Sequence, residues 1–144
     1  NAKNKSCIII IFDDEEKGLI GSSYFKKKYS KTINNTLLIN FDCVSDGTDY
    51  LFVVKKAVRD SSYYNCLSDM LKSTSKPSHL KKASVVPYMS DQLWFKESIG
   101  VVSVKRRGIL GFYLNRIHSR KDTVFQYDNI IDLSRLSIEL IKYL

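Results

Sequence analysis

The chain has 144 residues, 44% of them apolar and 26% charged, which suits one globular domain with its own core and excludes a disordered chain. Net charge is +8, but the basic residues fall in short groups (Lys26-Lys27-Lys28, Lys55-Lys56, Lys81-Lys82, Lys105-Arg106-Arg107), the pattern of a solvated basic surface and not of a nucleic-acid tract. No run reaches the roughly 18 to 20 apolar residues of a membrane span, and no signal peptide is visible.

Asn1-Ala2 reads as the remnant of an expression tag, and the chain reads as one that begins in mid-protein. Residues 7–12, "CIIIIF", predict a strand buried on both faces and central in a sheet. Four carboxylates, Asp13 to Glu16, follow it directly. Residues 18–28 predict a short helix. Residues 37–41, "LLINF", predict a second central strand that ends at Asp42 and the turn-rich "SDGTD". A third strand is expected at 50–54, a helix from Asp60 to Leu71, and an exposed loop at 73–79 closed by Pro77. Residues 83–89 predict an edge strand, limited by Pro87. A short helix over 91–97 is expected with Ser90 as its cap, followed by a strand at 99–104 and a strand or loop at 111–115. Asp132 reads as the cap of a last helix with Leu133, Leu136, Leu140, Ile141 and Leu144 on one face. Alternating strands and helices give an α/β fold: three αβα layers around a mixed, mostly parallel sheet, in a single domain over 1–144.

Cys7, Cys43 and Cys66 show no CxxC or CxxxC spacing and read as buried free thiols. The acidic candidates lie beyond the ends of predicted strands, Glu15 and Glu16 after the first and Asp42 after the second. The carboxyl ends of strands are where α/β sheets bind ligands, so these side chains are expected to converge there. His118 follows another extended segment, whereas His79 falls in a polar loop. Glu, Asp and His together form a donor set that suits zinc.

These residues resemble a family. "FDDEEKGLIGS" is similar to the "EE-x-GL-x-GS" motif of the zinc aminopeptidases, the co-catalytic metallopeptidases related to glutamate carboxypeptidase, glutaminyl cyclase and the transferrin receptor. "INFD" at 39–42 resembles the family's "N-x-D", "SDQLWF" at 90–95 its "SD-h-x-x-F", and "HSRKDT" at 118–123 its "H-T-x-x-D-T". The resemblance implies that Glu15 is the general base, that Glu16 and His118 are ligands of one zinc ion, and that Asp42 is a ligand of the other. A divalent cation would then offset the repulsion within the acidic run.

The chain departs from the family in lacking the upstream "H-x-D" segment and the bridging Asp, and Gln92 stands where "SDH" has its His. The resemblance therefore implies the C-terminal part of a zinc exopeptidase that hydrolyses N-terminal peptide bonds when complete. It also leaves open an inactive peptidase-like domain that binds a protein partner. Alone, the chain is expected to bind zinc weakly or not at all, because two donors fall short of the three that zinc sites normally use.

Overall fold

The computed structural model describes residues 6–86, 88–108, 111–114, 116–123 and 125–143. In chain order the elements are α1 (Ile20–Lys28), β1 (Leu38–Phe41), β2 (Asp49–Val54), α2 (Lys56–Arg59), α3 (Ser62–Met70), β3 (Ser78–Lys82), β4 (Ser98–Arg106), β5 (Phe112–Tyr113) and α4 (Tyr127–Tyr143), with 3-10 turns at Leu71–Ser73 and Asp91–Trp94.

The sheet runs β1-β4-β2-β3, with β5 added to the end of β4. β1 pairs with β4 and β2 with β3 in parallel, while β2 with β4 and β4 with β5 are antiparallel. The sheet is thus mixed, and the fold is α/β. Every residue of β2 is buried, as is β4 from Ser98 to Val104. A strand covered on both faces needs apolar side chains in both directions, which these two supply.

On one face Tyr50, Phe52, Val54, Ile99 and Val101 pack against Val58 of α2, Leu67 of α3 and Leu133 and Leu140 of α4. Burying each large side chain contributes about 1.5–3 kcal/mol. On the other face Leu51, Val53, Val102 and Val104 pack against Ala83, Val86, Tyr88, Phe112 and Leu114. The 3-10 turn Asp91–Trp94 joins this second layer, and α1 packs against that turn.

Several sequence expectations are corrected. Residues 7–12 are not a strand: the segment has no regular secondary structure and carries no ladder among the described residues, with Ile9 and Ile11 more than 90% exposed. The predicted strand at 37–41 forms as β1, but as an outer strand, only half-buried. A run of isoleucines becomes a central strand only where neighbours cover it, and among the described residues none pairs with 7–12. The helix expected over 60–71 forms as α3, preceded by the separate short α2; between them the Ser61 hydroxyl bonds the Val58 carbonyl at 2.6 Å. Residues 83–86 form a turn instead of a strand, and Pro87 lies outside the described residues. The strand falls earlier, at β3, which begins in the last two residues of the predicted loop and runs past it. Helix α4 begins at Tyr127, so Asp132 lies inside it and takes a hydrogen bond from Ser75. Leu144 lies outside the described residues. Cys7 and Cys43 are exposed and Cys66 is half-buried, against the expectation of buried thiols.

His79 likewise leaves the predicted loop. It sits on β3 with Nε2 2.8 Å from Asp49 Oδ1, its ring 4.6 Å from that of Phe112. Burial by itself would raise the Asp49 carboxyl, but hydrogen bonds from His79 and Thr48 and the charges of His79 and Arg106 outweigh it and hold the group below its ordinary value. A depressed folded value means that ionised Asp49 stabilises the fold above about pH 4 and that this contribution is lost as pH falls through the lowered value. Asp49→Asn is expected to cost about 1–2 kcal/mol at neutral pH and to make the acid limb of the stability curve shallower. Urea midpoints measured down to acid pH check both.

Candidate active site

The acidic run is shaped by the turn that precedes α1. The Glu15 carbonyl accepts from the amides of Gly18 at 3.0 Å and Leu19 at 2.8 Å, and the Gly21 amide donates to the Asp13 carbonyl at 3.1 Å. Gly21 is required here, because a β-carbon would press on the Asp13 backbone, 2.8 Å from its nitrogen. Asp14 and Leu19 both adopt positive φ, 55° and 60°. Aspartate tolerates that conformation, while Leu19 holds it against its β-carbon strain by burying its side chain. Phe12 fixes the upstream end of the run, with its ring 5.7 Å from Phe25 of α1 and 6.2 Å from Phe95. α1 itself has no acidic residue in its first turn, so the run does not serve as a dipole cap.

Within this turn the carboxylates take different partners. Asp14 pairs with Lys17 at 2.7 Å. Glu16 meets His118, Oε1 to Nε2, at 2.7 Å across a separation of 102 residues. The pair is 73% and 67% exposed, and exposed pairs contribute at most about 1 kcal/mol. Glu15 has no such relief: burial first, then the charges of Asp42, Glu16 and Asp91, push its carboxyl above the ordinary range, while His118 opposes them.

Asp42 stands directly after β1, its amide bonded to the Val101 carbonyl of β4 at 3.1 Å. Its Oδ2 accepts from the Tyr88 hydroxyl at 2.8 Å. Burial and the Asp42 charge raise the Tyr88 phenol well above its usual value, so it remains a donor. Although Cys43 is exposed as a residue, partial desolvation of its thiol, followed by hydrogen bonding and charge from Asp42, pushes that thiol up to about 12 and favours its protonated form.

The four residues expected at the site thus divide as follows. Glu16 and His118 are in contact, and Glu15 feels the charges of Asp42 and of both. Asp42 follows β1 as expected, but Glu15 and Glu16 follow a segment without regular secondary structure and not a strand. Ser90 does not cap the turn that follows it; its hydroxyl accepts from Asn40 Nδ2 at 3.0 Å, and Gln92 Oε1 accepts from the same amide at 2.8 Å.

Sequence reasoning missed Asp91 and Tyr88. Asp91 is 8% exposed, and its buried Oδ1 has no hydrogen-bond partner among the described residues. Its serine-aspartate pair is visible in the sequence, where capping is the simplest reading. Nothing near Tyr88 signals a contact with Asp42.

Whether these residues suit zinc turns on chemistry and number. Carboxylate and imidazole are right for zinc, and the excess of carboxylates with the orphaned Asp91 oxygen calls for a cation. The number is short: among the described residues no group of three or more His, Cys, Asp or Glu side chains is arranged to hold a metal ion. By themselves they do not make a zinc site.

A comparison with curated proteins returns no match. Among solved structures the chain is similar to the LapA aminopeptidase of Legionella pneumophila, with a TM-score of 0.61 and 15% identity over 90% of this chain. It spans 36% of the length of that protein. Such a likeness establishes the fold. The pattern of Peptidase family M28 matches residues 1–140, nearly the whole chain and every residue of the site just described, and the chain therefore belongs to Peptidase family M28.

Proposed function

We propose that residues 1–144 are the C-terminal portion of a zinc-dependent, aminopeptidase-type exopeptidase domain and supply one part of its active centre. Members of the family are generally zinc-dependent. The observation that carries the reading is the contact of Glu16 with His118 beside a Glu15 surrounded by further carboxylates. Glu15 is the proton acceptor: burial and the neighbouring carboxylates raise its carboxyl, which makes it a stronger base than an ordinary carboxylate. Glu16 and His118 would be donors toward one ion and Asp42 toward the other once further donors complete the set, with the Tyr88 hydroxyl holding the Asp42 carboxylate in orientation. The substrate class is a peptide with a free N-terminus.

The short donor set favours a second reading, a peptidase-like domain that binds a protein partner without catalysis. Isothermal titration with zinc at neutral pH separates the two. The chain alone is expected to bind zinc more weakly than about micromolar, because two donors leave most of the coordination to water, and to show no turnover of an aminoacyl chromogenic substrate. Weak binding that disappears in Glu16→Ala and His118→Ala but survives His79→Ala supports the peptidase reading. Binding indifferent to both substitutions overturns it in favour of the second. Submicromolar binding with turnover by this chain alone overturns the short donor set.

A further inference from the structure

His118 is brought to Glu16 by a loop whose own bonds are mostly local. Ser119 donates its amide to the Arg116 carbonyl at 3.0 Å, Asp122 donates to Ser119 at 3.0 Å, and the Ser119 hydroxyl bonds the Arg116 carbonyl at 2.6 Å. Arg116 and His118 both hold positive φ, 67° and 56°. The Glu16 contact is too exposed to impose this conformation. Something else must fix the loop against the body of the protein.

Both ends of the loop meet the same turn, the one that follows β1 and Asp42. At the near end Arg116 Nε lies 3.5 Å from Asp46 Oδ2, and the Asp46 side chain is 8% exposed. At the far end the Gln126 amide donates to the Ser45 carbonyl at 3.1 Å. The turn is itself rigid. The Gly47 carbonyl accepts from Lys76 Nζ at 3.1 Å and from Asn129 Nδ2 at 3.4 Å, and fully buried Asn129 also donates to Ser103 Oγ of β4 at 3.0 Å. Lys76 reaches Gln126 Oε1 at 3.3 Å, which ties the far end to the same hub.

We infer that the Asp46–Arg116 pair is a positioning device that clamps the His118 loop to the turn after Asp42, so that the two donor groups are set from one buried anchor. Asp46 and Arg116 are positioning residues that act through His118. A buried carboxylate suits the task, because it makes the arginine costly to release, whereas a surface pair would leave the loop free. The assignment of His118 to the active centre rests on the proposed peptidase reading. The clamp is tested without it, by the His118–Glu16 contact in metal-free protein.

The chain has two histidines, so long-range proton–nitrogen NMR of histidine-labelled protein in the presence of a chelator resolves both rings, with His79 as the internal control. Glu16→Ala defines the His118 signals when the contact is lost. Asp46→Asn and Arg116→Gln are each expected to move the His118 signals to those positions and leave those of His79 in place. The double variant should move them no further, since either change alone opens the clamp. Wild-type His118 signals in any variant that keeps the His79 signals would overturn the inference. So would movement of His118 only together with His79, which would make the pair a support of the whole fold.

Discussion

Glu15→Gln is expected to lower peptide hydrolysis about 10²- to 10⁴-fold in a polypeptide or assembly that completes the donor set, with KM little changed. The amide has the volume of the carboxyl but neither accepts nor returns a proton, so the loss falls on kcat. The same substitution should leave the fold intact or slightly more stable at neutral pH. Burial and three neighbouring carboxylates raise the Glu15 carboxyl, so its favourable contribution to stability is present below the ordinary carboxylate range and is lost as pH rises through the raised value. Removing the charge removes that penalty. Steady-state kinetics together with a thermal melt of the metal-free chain test both halves. A variant that melts earlier and also loses activity would place Glu15 in the structure and not in the chemistry.

The largest loss of stability from a small change is expected at Gly47. An added β-carbon would lie 2.5 Å from the Val104 nitrogen and 2.7 Å from the Ser103 carbonyl carbon, and would also strike Ser103 Oγ. The obstacle is the backbone of β4, held there by its ladder with β2 and, on the other side, by the bond of the Ser103 amide to the Cys43 carbonyl at 3.2 Å. Gly47→Ala is therefore expected to cost about 3 kcal/mol, the upper part of the range for overpacking. With a urea m-value of roughly 1–3 kcal/mol/M for a domain of this size, the midpoint should fall by more than about 1 M. An unshifted midpoint would show that the turn can lift from β4.

Legibility of the fold in the sequence followed the completeness of each burial pattern. "YLFVV" and "IGVVSV" are apolar in both directions and became β2 and β4, the strands covered on both faces. "CIIIIF" satisfies the same rule and failed it, since a run states what a residue tolerates and not which neighbours reach it. Polar partners were less legible still. The Ser90 hydroxyl serves the Asn40 amide instead of a helix end, His79 serves Asp49, and Tyr88 serves Asp42. Each hydroxyl or imidazole has many geometrically possible partners along the chain, and the fold selects one at long range. At the site, Asp42 was readable from the end of its strand, but the meeting of Glu16 with His118 was reachable only through the ordered motifs. Two turns with positive φ separate that histidine from any periodic signal.

The exposed isoleucines Ile8, Ile9 and Ile11 also have a colloidal consequence. Cys7 to Phe12 is a six-residue window of high β-propensity without proline, charge or glycine, the composition from which stacked cross-β assemblies nucleate. The outer edge of β1, which no strand covers among the described residues, offers backbone groups of the kind that recruit such a window from another molecule. What stands against this is the acidic run itself. Four carboxylates at the end of the window, with lysines at positions 3 and 5 before it, place like charges in register whenever two copies align in parallel. They act as gatekeepers. Glu15 and Glu16, proposed for proton transfer and metal binding, thus also oppose the stacking of this segment with its copies, and neutralising the run at acid pH would weaken that opposition.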